Sequence, residues 1–165
     1  MGFFQRGLLF TGIIKPDIEQ TITSEKDEAV YLEDVNFKMR DENAQTVNLQ
    51  DLEGKIVFLN FWATWCPPCV AEMPGIQNVY EEIGDDVVFV LVAFNEDFKT
   101  AQDFKARKDY DFPIFQPLEN PSGILSTGSL PSTFVFDKSG KAVLKHTGMA
   151  DYDNAKFKEF LRSLM

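Results

Sequence analysis

Residues 55–69 read KIVFLNFWATWCPPC, an apolar run that ends in the only two cysteines of the chain. The near-continuous apolar character of residues 56–62 predicts a strand that is covered on both faces of a sheet. Two residues separate the cysteines, and the segment that follows them is compatible with a helix. A strand that delivers two closely spaced thiols to the start of a helix is typical of dithiol-disulfide chemistry. The stretch therefore predicts both a central strand and a redox site.

A structural role for the cysteine pair fits the sequence less well. A zinc site needs four ligands, and the only further candidate of the Cys/His type is His146. A purely structural disulfide across so short a loop would constrain the unfolded chain little, because the entropy effect grows with loop length. We therefore expect neither a metal nor another cofactor.

Length and composition bound the class of protein. The chain has 165 residues, of which 44% are hydrophobic and sixteen are phenylalanine, enough for one well-filled core. Its formal net charge of −10 disfavours nucleic acid as a partner, since phosphates need a basic surface. We expect a monomer whose partners are proteins or small thiols.

The N-terminal region differs in character from the rest. Residues 3–14 are apolar but too short and interrupted to span a bilayer, and residues 15–34 are polar and acidic. We predict an N-terminal segment and linker over residues 1–34 and a single domain over residues 35–165. The apolar segment is compatible with two roles: a small lid packed on the domain, or the remainder of a membrane tether upstream of residue 1.

Hydrophobic periodicity predicts the order of elements along the domain. A hairpin is expected over residues 35–49, and its two strands flank a polar stretch. Strand, helix and strand then follow as a βαβ unit. The predicted elements after the hairpin are strand 56–62, helix 70–83, strand 87–94, helix 98–110, strand 112–115, strands 132–136 and 142–146, and helix 153–164. The fold class is α/β, a central mixed β-sheet flanked by helices.

The position of the cysteines assigns them different roles. Cys66 lies where the strand ends and the helix begins, so free N–H groups and the helix dipole favour a thiolate there. Pro67 suits the first helical turn because it has no N–H to leave unpaired. We expect Cys66 to be exposed and to attack the substrate disulfide. Cys69, one turn further in, is expected to be less exposed and to resolve the mixed disulfide.

Two further residues are candidates for the site. Glu72 follows Cys69 by three residues, so its carboxylate falls on the same side of the helix and could exchange a proton with Cys69; an ordinary surface glutamate is the alternative. Pro131 precedes a strand and leaves neighbouring backbone groups free to pair with a substrate peptide. From the sequence alone a trans Leu130-Pro131 bond is the default. We also expect Trp65, Pro67 and Leu130 to contact substrate.

Several motifs taken together indicate a family. FLNFWATWCPPCVAEMP, VVFVLVAFNED, FPIF, SLPSTFVFDKSGK and the late HTG resemble thioredoxin-like thiol:disulfide oxidoreductases of the TlpA/ResA type over about residues 35–165. The resemblance implies a thioredoxin fold with an insertion between the redox helix and the cis-proline loop, near residues 85–120. It also implies a cis Leu130-Pro131 bond, Cys66 as nucleophile, Cys69 as resolving thiol and Glu72 as a buried acid.

The resemblance also carries expectations about location and partners. Members are usually extracytoplasmic, in the periplasm and often membrane-anchored, and reduce disulfides in cytochrome c maturation or related reactions. A disulfide-containing protein substrate and an upstream electron donor or acceptor protein are therefore implied. Asn60 stands where thioredoxin has a buried aspartate, and because asparagine cannot titrate, Glu72 is expected to handle the proton. Pro67-Pro68 lacks the glutamate that some relatives have there.

Two other functions compete with disulfide reduction. A thiol peroxidase needs threonine three residues before its reactive cysteine, but Ala63 occupies that position and Thr64 is one residue too late. A copper-handling protein would use Cys66, Cys69 and His146, since two thiolates and an imidazole suit soft copper. We instead expect His146 to be an exposed hairpin residue.

Overall fold

The computed structural model describes residues 29–165, so the predicted apolar segment and most of the predicted linker lie outside the described residues. The described chain forms a seven-stranded mixed sheet in the order β2-β1-β5-β4-β3-β6-β7. The strands are β1 Lys38–Arg40, β2 Thr46–Asn48, β3 Ile56–Trp62, β4 Val87–Ala93, β5 Ile114–Pro117, β6 Ser132–Phe136 and β7 Ala142–Thr147. The helices are α1 Pro67–Ile83, α2 Phe98–Lys108 and α3 Ala155–Ser163.

The strand β3 lies between two long partners. Every one of its residues is buried, as its continuous apolar sequence predicts. It pairs in parallel with β4, and α1 makes the crossover between them, so the predicted βαβ unit is confirmed. On its other side β3 pairs antiparallel with β6. This mixed pairing confirms the predicted fold class.

The two faces of the sheet are covered differently. Even-numbered residues of β3, such as Phe58, join a cluster that contains the buried side chains of all three α-helices. Odd-numbered residues, such as Phe61, face a second cluster built from β1 and from short 3₁₀ turns at Leu32–Asp34, Leu49–Leu52 and Gly123–Leu125. The buried polar part of the site described below lies on the helix-covered face, whereas its groove borders the second cluster at Phe61 and Leu125.

The predicted N-terminal hairpin is confirmed. β1 and β2 pair antiparallel, and β1 also pairs antiparallel with β5, which joins the hairpin to the rest of the sheet. The segment 85–120, in which the insertion was expected, supplies β4, α2 and β5. Together these elements extend the sheet on the side of β3 away from β6.

The domain boundary at residues 34 and 35 stays a prediction. The described residues just ahead of it are packed on the domain: Tyr31 forms an isolated antiparallel bridge with Lys141, and the side chain of Leu32 is buried. Within residues 29–165, no helix has both the length and the apolar character to cross a membrane.

Candidate active site

The two cysteines lie at the junction between β3 and α1. Cys66 is the N-cap of α1, Pro67 occupies its first position, and the two cysteines form a disulfide with their Cα atoms 5.3 Å apart. The Cys66 sulfur accepts a hydrogen bond from the backbone N–H of Cys69 at 3.4 Å. A donor aimed at this sulfur, together with the positive end of the helix dipole, favours a thiolate at Cys66 once the disulfide is reduced.

The cysteines differ in exposure, but less than the sequence suggests. Cys69 is 0% exposed and Cys66 is 5% exposed. The expectation of a well-exposed Cys66 is therefore wrong for the disulfide form, because its side chain packs into the helix-covered core cluster instead of projecting into solvent. The order of exposure is as expected, with Cys69 the more buried of the two.

Access to Cys66 is through a groove of about 710 Å³. The residues around Cys66 form one wall, and the segment from Asn120 to Leu130 forms the opposite wall. The described residues that line the groove carry no charge, and its apolar part comes from Phe61, Trp65, Pro67, Phe94, Pro121, Leu125 and Leu130. Trp65 at its rim is 65% exposed. The groove can accept an apolar segment next to the sulfur.

The proline loop forms part of the groove wall. Leu130 lines the groove and is half-buried, while Pro131 is buried behind it, and the peptide bond between them is cis. The C=O of Pro131 accepts a hydrogen bond from the N–H of Gly148 at 2.9 Å. In the described part of the chain, the backbone N–H and C=O of Leu130 have no hydrogen-bond partner.

Glu72 is a buried acid and not a surface glutamate. It is 4% exposed. One carboxyl oxygen, Oε1, accepts a hydrogen bond from Asn60 Nδ2 at 2.9 Å, and the other, Oε2, accepts one from the backbone N–H of Ala150 at 3.2 Å. Burial raises the pKa of Glu72 to about 8, against the lowering effect of those two hydrogen bonds. Glu72 is therefore protonated in the disulfide form at neutral pH.

A row of polar side chains lies across the sheet beneath α1. Asn60 on β3 faces Thr133 on β6, and Thr133 faces His146 on β7. The second hydrogen of Asn60 Nδ2 is donated to Thr133 Oγ1 at 3.0 Å. Asn60 thus holds Glu72 and Thr133 together with a single amide group.

The position of His146 differs from the sequence expectation. It is buried, with 7% of its surface exposed, because it occupies an inward-facing position in the alternating pattern of β7. Its Nε2 atom has no hydrogen-bond partner in the described residues, and the same holds for Asn60 Oδ1 and the Tyr152 hydroxyl. Burial and the nearby Glu72 carboxylate raise the pKa of Tyr152 well above its usual value.

The copper alternative requires Cys66, Cys69 and His146 to lie close together. Within residues 29–165, no group of three or more histidine, cysteine, aspartate or glutamate side chains lies close enough together to hold a metal ion. His146 faces Thr133 across the strand pair, while Cys66 opens toward the groove.

The sequence identifies the cysteines, Glu72 and the proline loop but not their surroundings. Ala150 and Tyr152 carry no motif, and they lie beside Glu72 only because the segment after β7 packs against α1. Thr133 lies in the proline-loop motif, but its contact with Asn60 follows from the pairing of β3 with β6. The apolar groove residues Phe61 and Phe94 look like ordinary core positions in the sequence. A weak signal is present, since a polar Asn60 inside an otherwise apolar strand needs a buried partner.

Comparison with known proteins gives a consistent result. A family model described as the AhpC/TSA family matches residues 33–145, more than half of the chain. The chain is 37% identical over 131 residues to the thiol-disulfide oxidoreductase ResA of Halalkalibacterium halodurans. The aligned region covers 78% of this chain and 74% of that protein. It is 34% identical over 116 residues to the thioredoxin-like protein YneN of Bacillus subtilis, with 68% of each chain covered.

Solved structures are similar as well. The exposed lipoprotein thioredoxin Etrx1 of Streptococcus pneumoniae superposes with a TM-score of 0.60 at 29% identity, over 78% of this chain and 99% of that chain. The fold, the disulfide at a helix N-terminus and these relatives agree with the resemblance carried by the motifs. The chain therefore belongs to the AhpC/TSA family, and within it the chain is a thiol-disulfide oxidoreductase of the thioredoxin-like ResA type.

Proposed function

We propose that this oxidoreductase works as a disulfide reductase on protein partners outside the cytoplasm, with Cys66 as nucleophile and Cys69 as resolving thiol. The observation that carries the proposal is the unequal placement of the two sulfurs. Cys66 lines the groove at the N-terminus of α1, while Cys69 is fully buried behind it. A partner that enters the groove can therefore meet only the sulfur of Cys66.

The first step is attack by the Cys66 thiolate on a sulfur of the partner disulfide. A mixed disulfide forms between Cys66 and the partner, and the partner's other sulfur leaves as a thiolate that takes a proton from solvent. The Cys69 N–H and the helix dipole lower the cost of the Cys66 thiolate before attack.

The second step is attack by Cys69 on the mixed disulfide. Cys69 must lose its proton, and it forms the Cys66–Cys69 disulfide while the partner leaves as a thiolate. Glu72 lies one helical turn from Cys69 and is buried with it, so its carboxylate is the group proposed to accept that proton. A carboxyl with a pKa of about 8 is well matched to a thiol near neutral pH.

Partner recognition is proposed to combine backbone pairing with apolar contact. The unpaired N–H and C=O of Leu130 can bond to an extended peptide, as an exposed strand edge does. Trp65 and Pro67 provide apolar surface on the opposite wall, and the buried Pro131 holds Leu130 in the groove wall. The partner segment that fits is therefore extended and apolar next to its cysteine.

The setting of the reaction is proposed from the relatives. The pneumococcal structure that resembles this chain is described as an exposed lipoprotein, and several relatives bear the name ResA. We infer an extracytoplasmic, periplasmic-type location with a membrane tether, a role such as cytochrome c maturation, a monomeric state, and an upstream donor protein that returns the electrons.

Two measurements test this function. The reduction potential of the Cys66/Cys69 couple should lie below about −220 mV, whereas a value near about −120 mV, that of a strong oxidant, would overturn the reductase assignment. In an insulin-reduction assay the Cys69→Ser variant should accumulate a mixed disulfide through Cys66, which mass spectrometry detects. The Cys66→Ser variant should form none, and a mixed disulfide through Cys69 would show that the roles are reversed.

A further inference from the structure

A second opening lies beside α1 and is separate from the redox groove. It is a crevice of about 300 Å³ between α1 and the segment that follows β7. Its lining includes Ala71, Glu72 and Gly75 on the helix and Met149, Asp151 and Tyr152 on the facing segment. None of these residues lines the groove at Cys66. The two openings are therefore distinct, and the crevice is the one that Glu72 lines.

Glu72 lies at the inner end of the crevice. Its Oε2 atom is bonded to the N–H of Ala150, which is itself a crevice residue, while Oε1 is bonded to Asn60 in the interior. The carboxyl group thus joins the crevice to the buried polar row. Toward the groove, the fully buried Cys69 precedes it on the helix.

The polar groups around the inner end are suited to hold water. The Tyr152 hydroxyl, Asn60 Oδ1 and His146 Nε2 are all buried and have no hydrogen-bond partner in the described residues. Buried polar atoms of this kind usually bind internal water, which can pass protons along. All three atoms belong to residues on the same helix-covered side of the sheet as Glu72.

We infer that Glu72 exchanges its proton with bulk water through this crevice and not through the groove at Cys66. The inference rests on the proton role proposed for Glu72 and adds the route to it. Its consequence is that the buried carboxyl stays in equilibrium with solvent while a partner protein covers the groove.

The proton balance of the route is simple. Before Cys69 attacks the mixed disulfide, the Glu72 carboxyl group releases a proton to water in the crevice; the resulting carboxylate then takes the proton of Cys69 and is protonated again in the disulfide form. When an upstream donor reduces the disulfide, the Cys69 thiolate takes a proton from the Glu72 carboxyl group, which a crevice water restores. No other oxidant or reductant is required.

Other titratable groups lie on the elements around Glu72. Cys69 lies on α1 itself, His146 on β7, and Asp151 and Tyr152 on the segment after β7. Asp151 lines the crevice. Asp153, further along, is already engaged with Lys158 and Asn78.

The chain offers two ways to close the crevice without disturbing the fold. A Cβ added at Gly75 would lie 3.5 Å from Asp153 Cβ and 3.9 Å from Asp151 Oδ1, which are ordinary contact distances. Gly75→Ala also improves helix propensity. Ala71 is exposed at the rim, so Ala71→Leu places additional apolar carbons over the opening.

The test is hydrogen-deuterium exchange at the Glu72 carboxyl in the disulfide form, followed by infrared spectroscopy after rapid mixing into D₂O. At about pH 6 the carboxyl is protonated, since its pKa is about 8. Its C=O band is assigned by its loss in Glu72→Gln. The matched controls are Ala106→Leu, an exposed helical alanine elsewhere, and Ser126→Leu, which narrows the groove instead.

We expect exchange to slow by about tenfold or more in the Ala71→Leu/Gly75→Ala double variant, because the plugged crevice must open locally before water reaches the carboxyl. Gly75→Ala alone should slow it less, and both controls should exchange at the wild-type rate. Wild-type exchange in the crevice variants, or slowing only in Ser126→Leu, would overturn the inference. The exchange measurement involves no turnover, so its result is independent of the reductase assay. Either the proton route or the reductase function can be contradicted while the other is supported.

Discussion

The groove in front of Cys66 and the interior behind Cys69 are built from opposite kinds of side chains. The groove is open, apolar and uncharged, whereas the interior holds Glu72, Asn60 and Thr133 in a closed hydrogen-bonded row. A disulfide placed between two such environments can meet a partner on one side and move a proton on the other. Recognition of the partner and transfer of the proton are therefore carried by separate parts of the molecule.

The largest effect that tests the interior is on stability as a function of pH. Below the ordinary pKa of 4.5, Glu72 is protonated whether the chain is folded or not, so its contribution is fully present there. As the pH rises toward the folded pKa of about 8, the unfolded chain releases a proton that the folded protein keeps. The unfolding free energy of the disulfide form should therefore fall by about 1.4 kcal/mol per pH unit across this window from Glu72 alone.

Urea unfolding of the wild type and Glu72→Gln across this pH range measures the effect. In Glu72→Gln, the unfolding free energy should no longer fall with pH by the amount that Glu72 contributes. Glu159 is an exposed glutamate on α3, so Glu159→Gln should keep the pH dependence of the wild type. Equal slopes in the wild type and Glu72→Gln would mean that the Glu72 pKa is not raised by burial.

The next effect is on the rate of the resolving step. Glu72→Gln removes the proton acceptor, and general acid-base groups contribute roughly 100-fold or more. We expect release of the partner from the mixed disulfide to slow by about 100-fold near neutral pH, while formation of that mixed disulfide by Cys66 changes little. Quenched-flow mass spectrometry separates the two steps. If Glu72→Gln leaves both the thiol pKa values and the rate of the resolving step unchanged, the proposed role of Glu72 is wrong.

A smaller effect is expected from the far end of the polar row. Thr133→Val keeps the shape of the side chain but removes Oγ1, so one hydrogen of Asn60 Nδ2 loses its acceptor. A buried donor left unsatisfied costs about 1 to 3 kcal/mol of unfolding free energy. Thr147→Val, an exposed position on the neighbouring strand β7, is the matched control. A loss no larger than in the control would show that the row is not a stabilising unit.

The smallest effect concerns the groove. Trp65 is mostly exposed, so Trp65→Ala should leave the fold unchanged. It should weaken contact with a protein partner by about 1 kcal/mol, a roughly fivefold rise in KM. Reduction of a small aromatic disulfide reagent, which needs little of the groove, should change less. If both substrates respond equally, the groove does not recognise the partner.

Local patterns are enough to predict most of the fold. The continuous apolar β3, the cysteines at the start of α1 and the β1-β2 hairpin depend on residues close in sequence, and the structure has all of them. The strand ends differ by a few residues where proline and neighbouring strands decide the pairing, as in β5, which begins at Ile114.

The interior of the site depends on contacts that no local pattern shows. Asn60 reaches Thr133 across 73 positions, and Glu72 reaches Ala150 across 78. A hairpin position predicts an exposed His146, yet the register of β7 turns it inward. These contacts follow from strand register and from the path of the chain after β7, which are properties of the whole sheet.

The two tryptophans lie in opposite surroundings although they are close in the chain. Trp62 is fully buried beside Phe104, whereas Trp65 is 65% exposed and adjacent in the chain to the disulfide. A disulfide quenches the fluorescence of a nearby indole. Trp62 shares a core cluster with both cysteines and Trp65 precedes Cys66 directly, so reduction should brighten the emission of both tryptophans, one buried and one exposed. The protein therefore carries its own optical reporter of redox state.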